Sequence, residues 1–80
     1  MKLPRDLSGR DLAAVLAKLG YHATRQTGSH MRLTTEAGGE HQITIPDHAA
    51  LKVGTLNAIL REITEHAGIT RDELLKLLFD

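Results

Sequence analysis

Gly28-Ser29-His30 puts an imidazole where a turn becomes a strand, with Arg32 two residues further on. In RNA the substrate brings its own nucleophile, the 2′-hydroxyl beside the scissile phosphate, so a protein need only move protons and stabilise charge. One histidine with an unperturbed pKa of about 6.5 contributes roughly 10²–10⁴-fold as a general acid or base. Gly28 lets a phosphate come close to the backbone, Ser29 offers a hydroxyl to a nonbridging oxygen, and Arg32 adds a guanidinium on the same face. The plainer reading is an ordinary turn followed by an exposed strand residue.

Other residues bear on the same chemistry. Lys52 stands just ahead of Gly54-Thr55, where a helix N-terminus favours an anion, and it is read as a second phosphate contact or as a plain surface lysine. His48, two residues past Pro46, lines the same groove or bonds its own backbone. His22 is expected on the His30 face or simply in solvent. His41 is expected at the core edge as a hydrogen-bonded structural residue, and His66 in a last helical turn where an imidazolium complements the dipole. No two of the five histidines show i, i+4 or HxH spacing, so neither a metal nor another cofactor is expected. Asp6, Asp11, Glu62, Glu65, Asp72 and Glu73 fall on helix caps or solvated faces, which disfavours a paired-carboxylate mechanism.

The elements that must position these side chains follow from periodicity. Ser8 and Asp11 form a variant capping box, and Leu12, Val15, Leu16 and Leu19 recur at helical spacing, predicting a helix over about 9–19 closed by Gly20. The period then changes to two. A strand over about 21–26 sets Tyr21, Ala23 and Arg25 on one side and His22, Thr24 and Gln26 on the other. A second strand at 29–35 turns Met31 and Leu33 inward and His30, Arg32 and Thr34 outward. The 36–39 segment is a hairpin loop with paired glycines, and a third strand at about 40–45 ends at Pro46. Residues 46–54 read as loop. Thr55 is expected to cap a helix carrying Leu56, Ile59, Leu60 and Ile63 and closed by Gly68, and Thr70 with Glu73 caps a short terminal helix. The fold class is α+β, in the order α-β-β-β-α-α, a three-stranded antiparallel sheet with helices packed on one face. The other face, bearing His30, Arg32, Thr34, Gln42 and Thr44, is left to solvent or a partner.

Composition sets the limits. Eighty residues, 41% hydrophobic and 25% charged, make one small globular domain spanning 1–80. The absence of cysteine removes disulfides, thiol nucleophiles and CxxC zinc schemes, and points to a reducing, cytoplasmic setting. No apolar stretch approaches the ~20 residues that span a bilayer, so no membrane association is expected. Lys+Arg (10) and Asp+Glu (10) cancel, so any polyanion must be held by local placement and not by bulk charge. Tyr21 and Phe79 are the only aromatic residues, too few for base-stacking platforms.

Taken together, the helix end Leu19-Gly20-Tyr21, the run Arg25-Gln26-Thr27-Gly28-Ser29-His30, the run Ile43-Thr44-Ile45-Pro46-Asp47-His48, then Lys52-Val53-Gly54-Thr55-Leu56 and Ile59-Leu60, resemble the HicA family of bacterial toxins. These are small mRNA interferases of type II toxin–antitoxin modules. The resemblance covers most of the chain. It implies a fold similar to a double-stranded-RNA-binding domain (dsRBD-like), with the sheet face and helix ends meeting RNA. It also implies metal-independent RNA endonuclease activity with His30, the histidine of the Gly-Ser-His motif, as catalytic residue. A HicB-like antitoxin that covers the His30 face is the implied partner. The helix after Gly68 exceeds a minimal member's needs and is assigned to a homodimer or antitoxin contact. A non-catalytic module, docking structured RNA or a protein on the open sheet face, is the alternative that the neutral charge keeps open.

Overall fold

The computed structural model describes residues 3–79, so the two ends of the expected 1–80 span lie outside the described residues. Helix α1, Gly9–Leu16, starts at Ser8, whose Oγ accepts from the Asp11 backbone N–H at 2.9 Å. It tightens into a 3₁₀ turn over Ala17–Leu19 and stops at Gly20. Strands β1 (His22–Thr27), β2 (His30–Thr35) and β3 (His41–Pro46) follow, then helices α2 (Val53–Ala67) and α3 (Arg71–Phe79). The order is the α-β-β-β-α-α expected. The sheet is an antiparallel meander with β2 in the centre.

The hydrophobic side of the sheet is written by β2 and β3. Met31 sits opposite Ile45 and Leu33 opposite Ile43, all four buried. Leu12 and Leu16 of α1, Leu56, Ile59, Leu60 and Ile63 of α2, and Leu74, Leu75 and Leu78 of α3 join them in a single core cluster, with Leu7, Tyr21 and Leu51 from the connecting segments. Each helix thus buries its apolar stripe on the same side of the sheet. Thr35 is the polar side chain of this interior, and Thr34, expected in solvent on the open face, is buried as well, beneath Thr24 of β1. The Thr35 hydroxyl donates to the Leu19 carbonyl at 3.0 Å and accepts from the Ala37 N–H at 3.1 Å, which fastens the end of β2 to the end of α1. Lys18 Nζ reaches the Leu78 carbonyl at 3.1 Å and fastens α3 to the same end.

Two expectations are corrected. The helix expected to begin at Thr55 begins at Val53, with Lys52 in the extended N-cap position and no side-chain cap. Thr55 is half-buried in the first turn. The even alternation expected for β1 is interrupted. His22 lies opposite Thr34 and Ala23 opposite Leu33, but Arg25 lies opposite Arg32, so Thr24 is an extra, bulged residue. Beyond the bulge the faces exchange. Arg25 and Thr27 join His30 and Arg32 on the open face, and Gln26 turns to the helix side.

His41 takes the structural place expected of it. Its Nδ1 shares a 2.7 Å hydrogen bond with Tyr21 Oη, and its ring stacks on His66 with centroids 4.5 Å apart. His66 bonds the Ala37 carbonyl through Nε2 at 2.9 Å, so its role is to clamp the β2–β3 loop onto α2 as well as to end a helix. Burial, reinforced by the charge of Glu62, raises the Tyr21 phenol pKa.

Candidate functional site

A two-residue hairpin aims the histidine. Thr27 pairs with His30, so Gly28-Ser29 is the whole connection between β1 and β2. Gly28 has φ +56°, and among the described non-glycine residues only Asp6 has a positive φ. Positive φ at the first loop position alone is the pattern that calls for glycine there. His30 is consequently the first residue of β2, exposed, opposite Thr27 on one side and Pro46 on the other. Among the described residues its imidazole has no hydrogen-bond partner.

Around it the open face forms a shallow depression of about 430 Å³ lined by Arg25, Thr27, His30, Arg32, Gln42 and Thr44. The Arg32 guanidinium is held by a 2.8 Å bond from Nη1 to Gln42 Oε1. Thr24 fills the bulge, its hydroxyl 3.0 Å from that of Thr34 and 3.4 Å from the Arg32 carbonyl. The floor is therefore hydrogen-bonded sheet, and the walls are mainly long cationic and short hydroxyl side chains. Such a surface offers charge-assisted donors to phosphate oxygens and one titratable ring beside them.

Of the residues singled out by sequence, His30 and Arg32 meet in this depression, and Gly28 and Ser29 form the turn that leads into it. His48 and Lys52 are exposed but line no part of it. They belong to the segment joining β3 to α2, where the His48 carbonyl accepts from Gly9 N–H at 3.0 Å. Arg25 and Thr27 also line the depression, and the sequence pattern does not single them out as site residues. Even alternation puts Arg25 on the opposite side of β1. Nothing in the alternation of β1 marks the bulge, because all six of its residues are exposed and no apolar face pins its register.

Behind the turn lies an ion pair. Asp47 accepts from Arg10 Nε at 3.0 and 3.2 Å and from Nη2 at 3.1 Å, and receives Gln26 Nε2 at 3.4 Å. Its backbone N–H donates to the Ser29 carbonyl at 2.6 Å. One residue thus ties α1, β1 and the Gly28-Ser29 turn together. The Arg10 hydrogen bonds hold the Asp47 carboxyl below its ordinary pKa, and the carboxylate in turn raises that of Arg10. A depressed carboxyl pKa adds stability that is fully present above about pH 4 and is lost as the pH falls through the folded-state value. Asp47→Asn should therefore be less stable than the parent at neutral pH, with the gap closing below about pH 4. Urea unfolding across pH 2–7 checks it; parallel stability curves would remove Asp47 from this role.

The sequence model for the HicA toxin of bacterial toxin–antitoxin systems matches residues 9–64, from the first residue of α1 into the last turn of α2. The chain belongs to the HicA toxin family, and is by that membership a toxin of a toxin–antitoxin system. Helix α3 lies beyond the matched span. No curated protein and no solved structure gives a significant match. Among the described residues no helix is long and apolar enough to cross a membrane, and no three His, Asp or Glu side chains converge as a metal site would need.

Proposed function

We propose that this toxin is an mRNA interferase, a metal-independent RNA endonuclease whose general acid/base is His30. The observation that carries the reading is the exposed, unpartnered imidazole beside Arg32 on the uncovered sheet face of a HicA-family chain. His30 takes the proton of the 2′-hydroxyl, the 2′-oxygen attacks the neighbouring phosphorus, and the 5′-oxygen leaves with a proton from water, whose hydroxide takes the proton back from the imidazolium. The products are a 2′,3′-cyclic phosphate and a 5′-hydroxyl. Arg32 and the Gly28-Ser29 turn hold the phosphate, and Lys52 and His48 serve as outlying RNA contacts after β3. Residues 1–80 act as one dsRBD-like unit, with a HicB-like antitoxin covering the His30 face. Helix α3 remains for that antitoxin or a second copy of the chain.

The test is incubation of the purified chain with folded RNA in the presence of a chelator. Cleavage with cyclic-phosphate ends is the expected result. Arrest of the reaction by the chelator would require a metal mechanism instead. Retention of intact RNA would favour the non-catalytic binding module that the neutral net charge allows.

A further inference from the structure

The bulge in β1 does more than shift a register. With unbroken alternation, the residue after Ala23 would lie opposite Arg32 and Arg25 would turn toward Met31 and the helices. The extra residue Thr24 instead sets Arg25 opposite Arg32, on the face that carries His30. Two guanidinium groups thus stand directly across a strand pair, where like charges destabilise a sheet. Arg32 is steadied by the neutral oxygen of Gln42, and Arg25 has no hydrogen-bond or ion-pair partner among the described residues. Among the described residues no carboxylate lines the depression to balance them. In a chain with no net charge, this is an uncompensated pair of cations in one shallow basin. Bulges are over-represented where a side chain is re-aimed next to a functional site.

We propose that Arg25 and Arg32 together seat the scissile phosphate of RNA at His30, so that Arg25 is a second phosphate-holding residue built by the Thr24 bulge. The proposal rests on the reading of the chain as an RNA endonuclease. Arg32 stands about 6.6 Å from His30 along one strand face, and Arg25 is His30's diagonal cross-strand neighbour at about 7–8 Å, spans that an arginine stem covers, so both guanidiniums reach a phosphate beside the imidazole. A phosphodiester carries one negative charge, and two develop on the pentacoordinate phosphorane as the 2′-oxygen attacks. Two cations match the second state better than the first, and so act more on turnover than on ground-state affinity.

The experiment compares the parent with Arg25→Gln and Arg25→Lys. In cleavage of a hairpin RNA, Arg25→Gln should lose roughly 10–10² in kcat with a smaller change in KM, and Arg25→Lys should recover part of the loss because it restores charge without the planar fork. The same substitution in a His30→Ala background should lower the slope of log affinity against log salt by about 0.7–0.9, one phosphate contact. The thermal midpoint of Arg25→Gln should equal or exceed the parent's, since a repulsion is relieved. An unchanged kcat and salt slope beside a cleaving parent would overturn the seat and leave the nuclease reading intact. A lowered slope in a chain that cleaves nothing would keep the phosphate seat and sink the nuclease reading. Weakened antitoxin binding with unchanged RNA affinity and cleavage would assign the arginines to the protein partner and overturn the proposal.

Discussion

His30→Ala is expected to leave a folded protein that no longer cleaves RNA or arrests growth on overexpression. The position is an exposed strand residue with no side-chain hydrogen bond among the described residues, so nothing buried is left unsatisfied by its removal. Surface substitutions of this kind move stability by no more than about 0.5 kcal/mol, a shift of roughly 2–4 °C in thermal midpoint for a chain of this size. The catalytic effect is of another order. Loss of the positioned acid/base should lower kcat by about 10²–10⁴ while KM changes little, because the ring acts on a proton in flight and the phosphate is held by other groups. Cleavage kinetics alongside thermal melts separate these cases. Undiminished cleavage in the variant would remove His30 from the chemistry, and a collapsed melting transition would assign it to the fold.

How much of this was legible in the sequence depended on whether an element had an apolar face. In β2 and β3 the alternation of Met31, Leu33, Ile43 and Ile45 fixes register and inward direction together, and the structure pairs them accordingly. Helix α1 announced itself through Ser8, the Leu12–Leu16 stripe and Gly20, and the α3 cap through Thr70 and Glu73, which bond each other's backbone N–H reciprocally. Strand β1 had no such constraint. With every residue exposed, alternation by residue count does not fix a register that a single bulged threonine changes, and it puts Arg25 on the wrong face. The start of α2 is hidden for a related reason. Thr55 is a preferred capping residue, but the chain is already helical two positions earlier, and the expected cap bond is not made. The Arg10–Asp47 pair joins residues 37 apart in sequence, and no local pattern announces a contact of that kind.

Gly9→Ala is the substitution expected to cost the fold most for its size. Alanine at a helical position is ordinarily better than glycine by about 1 kcal/mol, so propensity alone predicts a gain. Packing reverses the sign. A Cβ at Gly9 would run into the Pro46 carbonyl, a backbone group that cannot swing aside as a flexible side chain can. The helix end must retreat, and in doing so it strains the Gly9 N–H bond to His48 and the Arg10 fork on Asp47. Overpacking of this kind costs about 1–3 kcal/mol, and a weakened hydrogen bond about 1 more, so the net loss is on the order of 2 kcal/mol after the propensity gain. That is a large share of the roughly 4–12 kcal/mol expected for a domain of this length, and amounts to about 10 °C in thermal midpoint. Gly54→Ala supplies the contrast within the same molecule, since it too is helical but its added Cβ meets nothing within 4 Å. It should gain up to about 1 kcal/mol. If both variants melted above the parent, the close approach of α1 to the β3 end would not be what holds the turn before His30 in place.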